Sequence, residues 1–278
     1  MKKYTFLNNL SIHFFLFLFS LLFLLPYFWM ISTSLKTSEQ ITNFMEIIPD
    51  PISVRSFKEG FELVPFFKYI VNTMRIGFLC VLGSMFSCSM AGFGFAKFRG
   101  RGKNFLFIIL LATMMVPQTV TLIPSYMLYS RLRWVNTIIP LTLPSFFGAS
   151  AFNIFLMRQF FSSLPNDLAE AALIDGCSWG RIFINIYIPN SVAALMVVAI
   201  NQLVFVWNDY LSPLVYLGRP SKYTVALGLN MFKGQYGGSI DPGPLMAMAC
   251  VSIIPLFILY VFFQRYFVEG IAASGIKR

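Results

Sequence analysis

The chain has 278 residues, 57% of them hydrophobic and 12% charged, with 32 phenylalanines; soluble domains typically carry about 25% charged residues, so water is excluded as the principal solvent and a lipid bilayer is implied. A net charge of +10 would suggest nucleic acid in a soluble protein. Here the basic residues sit between long apolar runs, with no basic helix or aromatic-basic repeat, so nucleic acid is excluded and membrane lipid head groups are the expected partner.

In chain order, six segments reach the roughly 20 residues needed to cross a hydrocarbon core: 12–33, 72–96, 104–123, 138–160, 186–208 and 244–264. The first follows Lys2 and Lys3 like a secretory signal. It is too long for a signal's apolar region and lacks a small-residue cleavage site, so it reads as a retained helix. His13 at its start has no ligand partner nearby in sequence and reads as an interfacial structural residue. The second span carries small residues at intervals of four, Gly83, Ser87 and Ala91 beside Ser84, Cys88, Gly92 and Ala96, a stripe that suits close helix packing. The third and fourth spans are interrupted by Pro117, Pro124, Pro140 and Pro144, and residues 118–132 are a candidate re-entrant or interfacial helix.

Basic residues divide almost evenly between the two sides of this threading. Lys97, Arg99, Arg101 and Lys103 nevertheless crowd one very short loop, which places that loop inside by the rule that short basic loops stay cytoplasmic. No acidic or basic residue stands in the middle of a span, which argues against a proton-coupled carrier.

Cys80, Cys88 and Cys250 lie in apolar runs and Cys177 stands alone. Cys80 and Cys88 on one helix are about 12 Å apart, too far for a disulfide, and no pair has metal-ligand spacing. Gly102-Lys103 lacks the upstream glycine and the following hydroxyl of a phosphate loop, and no zinc-protease pair or serine elbow occurs. No catalytic residue, metal or cofactor is expected, and any driving energy from ATP must come from another polypeptide.

Residues 162–189, between the fourth and fifth spans, read as two short helices joined by a turn. Pro165 suits a first helical turn, Gly176 the left-handed position after a helix, and Ser178 the next N-cap. Ile182, Phe183 and Ile186 share one face, and Pro189 enters the fifth span. Small Ala171 and Ala172 beside acidic Glu170 suit insertion into a partner's groove. On the fifth span, Asn201, Gln202 and Asn208 with Phe205 and Trp207 either meet a polar solute or bond neighbouring helices.

Glu170-Ala171-Ala172, three residues, Gly176, nine residues, then Ile186, Ile188 (where Leu is common) and Pro189 resemble the cytoplasmic loop of ABC importer permeases. Ser34-Leu35-Lys36-Thr37, Trp207-Asn208-Asp209-Tyr210, Gly234-Gln235-Tyr236 and residues 264–270 are similar to the sugar-importer branch, to maltose-permease-G-like subunits. The resemblance runs nearly end to end and is weakest over 38–65.

It implies an all-α membrane protein of six spans. These divide into an N-terminal helix and loop (1–68), a type I importer core (69–266) and a cytoplasmic tail (267–278) that reaches toward the ATPase interface. It further implies a bacterial cytoplasmic membrane, both termini inside, and partners comprising ABC ATPase subunits, a second permease and an extracytoplasmic sugar-binding protein. The ATPase-coupling residues would be Glu170, Ala171, Ala172, Asp175, Gly176, Ile186 and Pro189. Asn201, Gln202, Trp207 and Asn208 stand as candidates for the substrate pathway or for helix packing, and in a two-permease importer the other subunit would supply most ligand contacts. The outer loop 211–243, irregular at Gly234, Gly237, Gly238, Pro242 and Gly243, would either face the binding protein or simply connect. Two other readings stand beside this one: a permease of the same superfamily for another solute, and a secondary carrier working alone.

Overall fold

The computed structural model describes residues 2–42, 46–148, 150–236 and 241–275. Among these, every regular element is helical. Five helices are long and apolar enough to cross a bilayer, or six where the bent pair over 103–131 is one span.

The chain forms two compact units. The first joins residues 1–67 to 229–255; the second comprises 68–228 and 256–278. In the first unit, helix α1 (Lys2–Ser34) carries the apolar stretch Ile12–Ser34. Its phenylalanines project outward (Phe23 is 72% exposed), an arrangement that lipid favours and water does not. Short α2 (Ser38–Thr42) and α3 (Arg55–Leu63) follow. The Ser34–Thr37 segment between α1 and α2 is folded inward: Ser34 and Lys36 are buried, and the Lys36 ammonium lies 5.2 Å from the Trp29 ring centroid. Asp241 accepts hydrogen bonds from Ser38 Oγ at 3.1 Å and Gly243 N at 2.8 Å, and pairs with Arg55 at 3.1 Å.

The second unit is built on α4 (Phe66–Lys97). Its small-residue stripe is a packing surface. A Cβ on Gly92 would meet Met157 Cβ at 2.7 Å and the Arg158 backbone nitrogen at 2.9 Å; one on Gly83 would meet the Phe146 ring at 2.7 Å. Ser87 Oγ donates to the Ser145 carbonyl at 2.7 Å, so the stripe also satisfies backbone acceptors in a broken segment. Helix α5 (Lys103–Ala112) ends in a 3₁₀ turn, and α6 (Gln118–Arg131) leaves it at 98°. Pro117 stands at the corner with an extended backbone, as a residue without an N–H would dictate. The third apolar run is therefore bent into two limbs, as a broken span or a re-entrant loop is, and its second limb reaches Arg131, beyond 123.

The fourth span begins as one turn of helix α7 (Ile139–Thr142), passes through a 3₁₀ turn over Leu143–Phe147, and resumes as α8 (Ala151–Ser163). Prolines occupy the first turn of both short pieces, where their missing N–H costs nothing. Helix α11 (Val192–Asn208) forms the fifth span. It starts after Pro189, later than 186, because a π turn and a 3₁₀ turn intervene. The outer loop of 211–243 is largely helical, with α12 (Leu211–Tyr216) and α13 (Val225–Tyr236); Gly234 lies inside α13, while Gly237 and Gly238 lie outside the described residues. Helix α14 (Gly243–Gly275) carries the last span and continues through most of 267–278; Ile276–Arg278 lie outside the described residues.

Candidate functional site

The loop from Leu164 to Pro189 folds as two helices around a tight turn. Leu164, preceding a proline, is extended and closes α8, as steric conflict with the proline ring requires. Asn166 caps α9 (Asp167–Ile174). Pro165 therefore lies just before the cap and outside the first turn. Asp167 and Glu170 occupy the first turn of α9, where acidic groups oppose the helix dipole favourably.

Gly176 has φ of +79°. Its N–H bonds to the Leu173 carbonyl at 3.0 Å, and Cys177 N–H bonds to the Ala172 carbonyl at 2.9 Å. This is the paired closure of a left-handed helix terminus. Ser178 Oγ then accepts from Arg181 N at 3.4 Å to start α10 (Trp179–Ile182).

Ala169 and Ala172 both face the interior of the unit, Ala172 being only 7% exposed. Ala172 is thus not displayed beside Ala171. Two small residues three apart let α9 lie close against its support, and the outer surface falls to Glu170, Ala171, Ile174 and Asp175. Ile174 is 86% exposed, the most exposed of three large apolar side chains on α9 with Leu168 and Leu173, and stands between two carboxylates. Ile186 is half-buried and Pro189 exposed; both fix the exit of the loop and neither stands on that outer surface.

Behind the loop is an aromatic socket. Phe93 of α4, 4% exposed, is ringed by Phe98, Phe161, Trp179, Phe183 and Tyr187, with centroids between 5.0 and 6.2 Å. Most of these pairs are edge-to-face, the arrangement that ring quadrupoles favour. Lys97 closes the socket. Its ammonium donates to the Leu164 carbonyl and to Asn166 Oδ1, both at 2.9 Å, and stands 5.2 Å from the Tyr187 ring centroid. The last turn of α4 is thereby tied to both ends of the α8–α9 junction.

A cavity of about 540 Å³ opens elsewhere in the same unit, between α6, the broken α7–α8 segment, α11 and α12. Asn201 and Gln202 line it, as the amide pattern on the fifth span anticipates. Trp207 and Asn208 do not. Trp207 is buried away from it, and the Asn208 amide turns back to the Val204 carbonyl at 2.8 Å.

Sequence reasoning missed most of the lining. Tyr129 and Tyr216 meet edge-to-face at 5.4 Å, and Tyr129 stacks on Trp134 at 6.0 Å. Gln118 Nε2 donates to Ser212 Oγ at 3.0 Å, and Asp209 Oδ1 accepts from Ser212 N at 3.1 Å. Asn153, 2% exposed, donates to Ser84 Oγ at 3.3 Å, while its Oδ1 is buried without a hydrogen-bond partner. The only signal for these residues was the proline density around 117–144, which marks irregular backbone tolerated in a membrane where it lines a cavity.

Comparison with known proteins places this arrangement. Residues 83–272 match the family described as binding-protein-dependent transport system inner membrane component. The chain is 30% identical to the arabinooligosaccharides transport system permease protein AraQ of Bacillus subtilis (strain 168), over 97% of this chain and 96% of that one. It is 27% identical to the trehalose/maltose transport system permease protein MalG of Thermococcus litoralis, over 94% of each. A crystal structure of a bacterial ABC transporter involved in the import of the acidic polysaccharide alginate superposes with a TM-score of 0.80 at 25% identity, covering 94% of this chain and 96% of that one. A multi-pass helical chain with these matches along most of its length belongs to the binding-protein-dependent inner membrane component family, the permease subunits of ABC importers.

Proposed function

We propose that this chain is half of the translocation pathway of an ATP-driven carbohydrate importer, coupled to a separate ATPase through the α9 loop. The observation that carries the coupling role is the geometry of that loop: a short helix with an exposed Ile174 between Glu170 and Asp175, seated on a buried aromatic socket. An exposed isoleucine with Leu168 and Leu173 also exposed on the same rigidly backed helix suits a partner's cleft. The carbohydrate reading is supported by the arabinooligosaccharide and trehalose/maltose permeases among the relatives.

In this reading the 97–103 loop, α9 and both termini face the cytoplasm. The partners are ABC ATPase subunits, a second and different permease, and an extracytoplasmic sugar-binding protein. ATP closes the nucleotide-binding subunits, they draw on α9, and the core over 69–266 shifts from inward- to outward-facing, a population shift between two global states. Asn201 and Gln202, at the cavity, remain candidates for the pathway; Trp207 and Asn208 serve packing and the helix end.

The test is purification of the tagged chain from its native membrane in mild detergent, with mass spectrometry of what accompanies it. An ABC ATPase and a second permease in stoichiometric amounts are expected. Recovery of the chain alone, or only with itself, would overturn the reading in favour of a solitary carrier.

A further inference from the structure

We propose that the cavity beside α12 is a saccharide subsite belonging to this subunit itself, and that it admits neutral sugars while rejecting uronates and sugar phosphates. The inference rests on the carbohydrate reading above.

The cavity's volume of about 540 Å³ lies within the range of about 300–1,000 Å³ that holds small ligands. Its chemistry narrows the occupant. Tyr129 and Tyr216 supply aromatic surface for the apolar C–H face of a sugar ring, while Asn201 and Gln202 supply amides for its hydroxyls. Asn153 Oδ1 is buried without a partner behind this wall, so the amides that face an occupant are those of Asn201 and Gln202, neighbours on α11.

Charge supplies the selectivity. Among the described residues no lysine, arginine or histidine lines the cavity, and the one carboxylic acid there is Asp209. That carboxylate is anchored by the Ser212 N–H at 3.1 Å, and among the described residues no basic side chain is paired with it. A sugar carboxylate or phosphate entering here meets a fixed like charge in a partly desolvated space, with no cation to offset it. A neutral polyol meets a strong acceptor instead. The alginate importer similar in fold carries an acidic polysaccharide, so a shared fold leaves this choice open and the cavity lining decides it.

The experiment is calorimetric titration of the complete complex, purified with its co-isolated subunits. The probes are the neutral trisaccharides maltotriose, arabinotriose and galactotriose, and the anionic trigalacturonate. At least one neutral trisaccharide is expected to bind, at least tenfold more tightly than trigalacturonate. Asp209→Asn keeps the acceptor for Ser212 N and removes the charge, so it should narrow that ratio about tenfold. Tyr129→Ala should weaken the neutral sugar about tenfold, with an unchanged melting curve as the control for folding.

Equal binding of the anionic sugar by the wild-type complex overturns the proposal. Neutral-sugar binding that neither variant alters also overturns it, while leaving the carbohydrate reading in place. Failure of all four saccharides to bind overturns both.

Discussion

Gly176 is where a single backbone angle is expected to control assembly with the ATPase. Its φ is +79°, and a Cβ built on it would meet no atom within 4 Å. Any cost of substitution in the isolated chain is therefore conformational. For an ordinary L-residue that cost is about 1–2 kcal/mol, which reduces the correctly turned loop roughly 5- to 30-fold relative to its alternatives. Asparagine visits this region more readily than alanine, and valine least readily. The expected order of ATPase retained on the tagged chain is therefore Gly, then Asn, then Ala, then Val, with the melting temperature little changed because the turn lies on the surface. Side-chain size predicts the opposite order for the middle pair, since Asn is larger than Ala and would clash more with a partner held against the turn. Retention by Gly176→Asn below that of Gly176→Ala would refute the backbone explanation.

Three further outcomes follow from the same unit. Ile174→Asp should leave the chain's own stability unchanged and abolish ATPase retention, whereas Ala172→Leu, overpacking a buried site, should cost about 1–3 kcal/mol of stability and lower the thermal midpoint. Gly92→Val should prevent close approach of α4 and α8, because a Cβ there already meets the Arg158 backbone at 2.9 Å. Gly94→Val, whose nearest neighbour is Phe98 at 3.9 Å, should be tolerated, with detergent-solubilised yield and melting temperature as the readout. Lys97→Met removes two hydrogen bonds from a charged donor, at about 1.5–3 kcal/mol each before discounting for partial exposure, and should speed proteolysis within 163–189.

The apolar runs made the spans legible in the sequence, because a bilayer imposes both length and composition on them. Local rules made Gly176 and Ser178 legible too, since a left-handed terminus and an N-cap depend on neighbours a few residues away. What could not be read was decided at long range. The alanine pair at 171 and 172 is equivalent in sequence, and only the aromatic socket behind α9 determines that Ala172 turns inward. Asp209 read as the end of a helix, and became part of a cavity because α12 folds back over it. Tyr129 and Tyr216, 87 positions apart by number, meet only because α6 departs from α5 at 98°. The helical content of 211–236 was hidden by its glycines and prolines, which broke the apolar period without preventing short helices.

The placement of α4 ties the two regions together mechanically. Phe93 and Lys97 seat the loop that holds α9 at its end, while Ser84 holds Asn153 at the cavity wall. The nine-residue rise from Ser84 to Phe93 spans about 13.5 Å of continuous helix, a stiff connection with neither proline nor break. On the side facing α8, the contact includes Gly92, which has no side chain to yield by changing rotamer. A rotation of α9 that displaces the socket must therefore either shear the α4–α8 contact or carry α4 with it. Shear is opposed by backbone packed at van der Waals distance, and movement of α4 alters the position of Asn153. Packed elements of this kind transmit coupling because they have few intermediate arrangements, so in the proposed mechanism the small-residue stripe would serve transport through its packing.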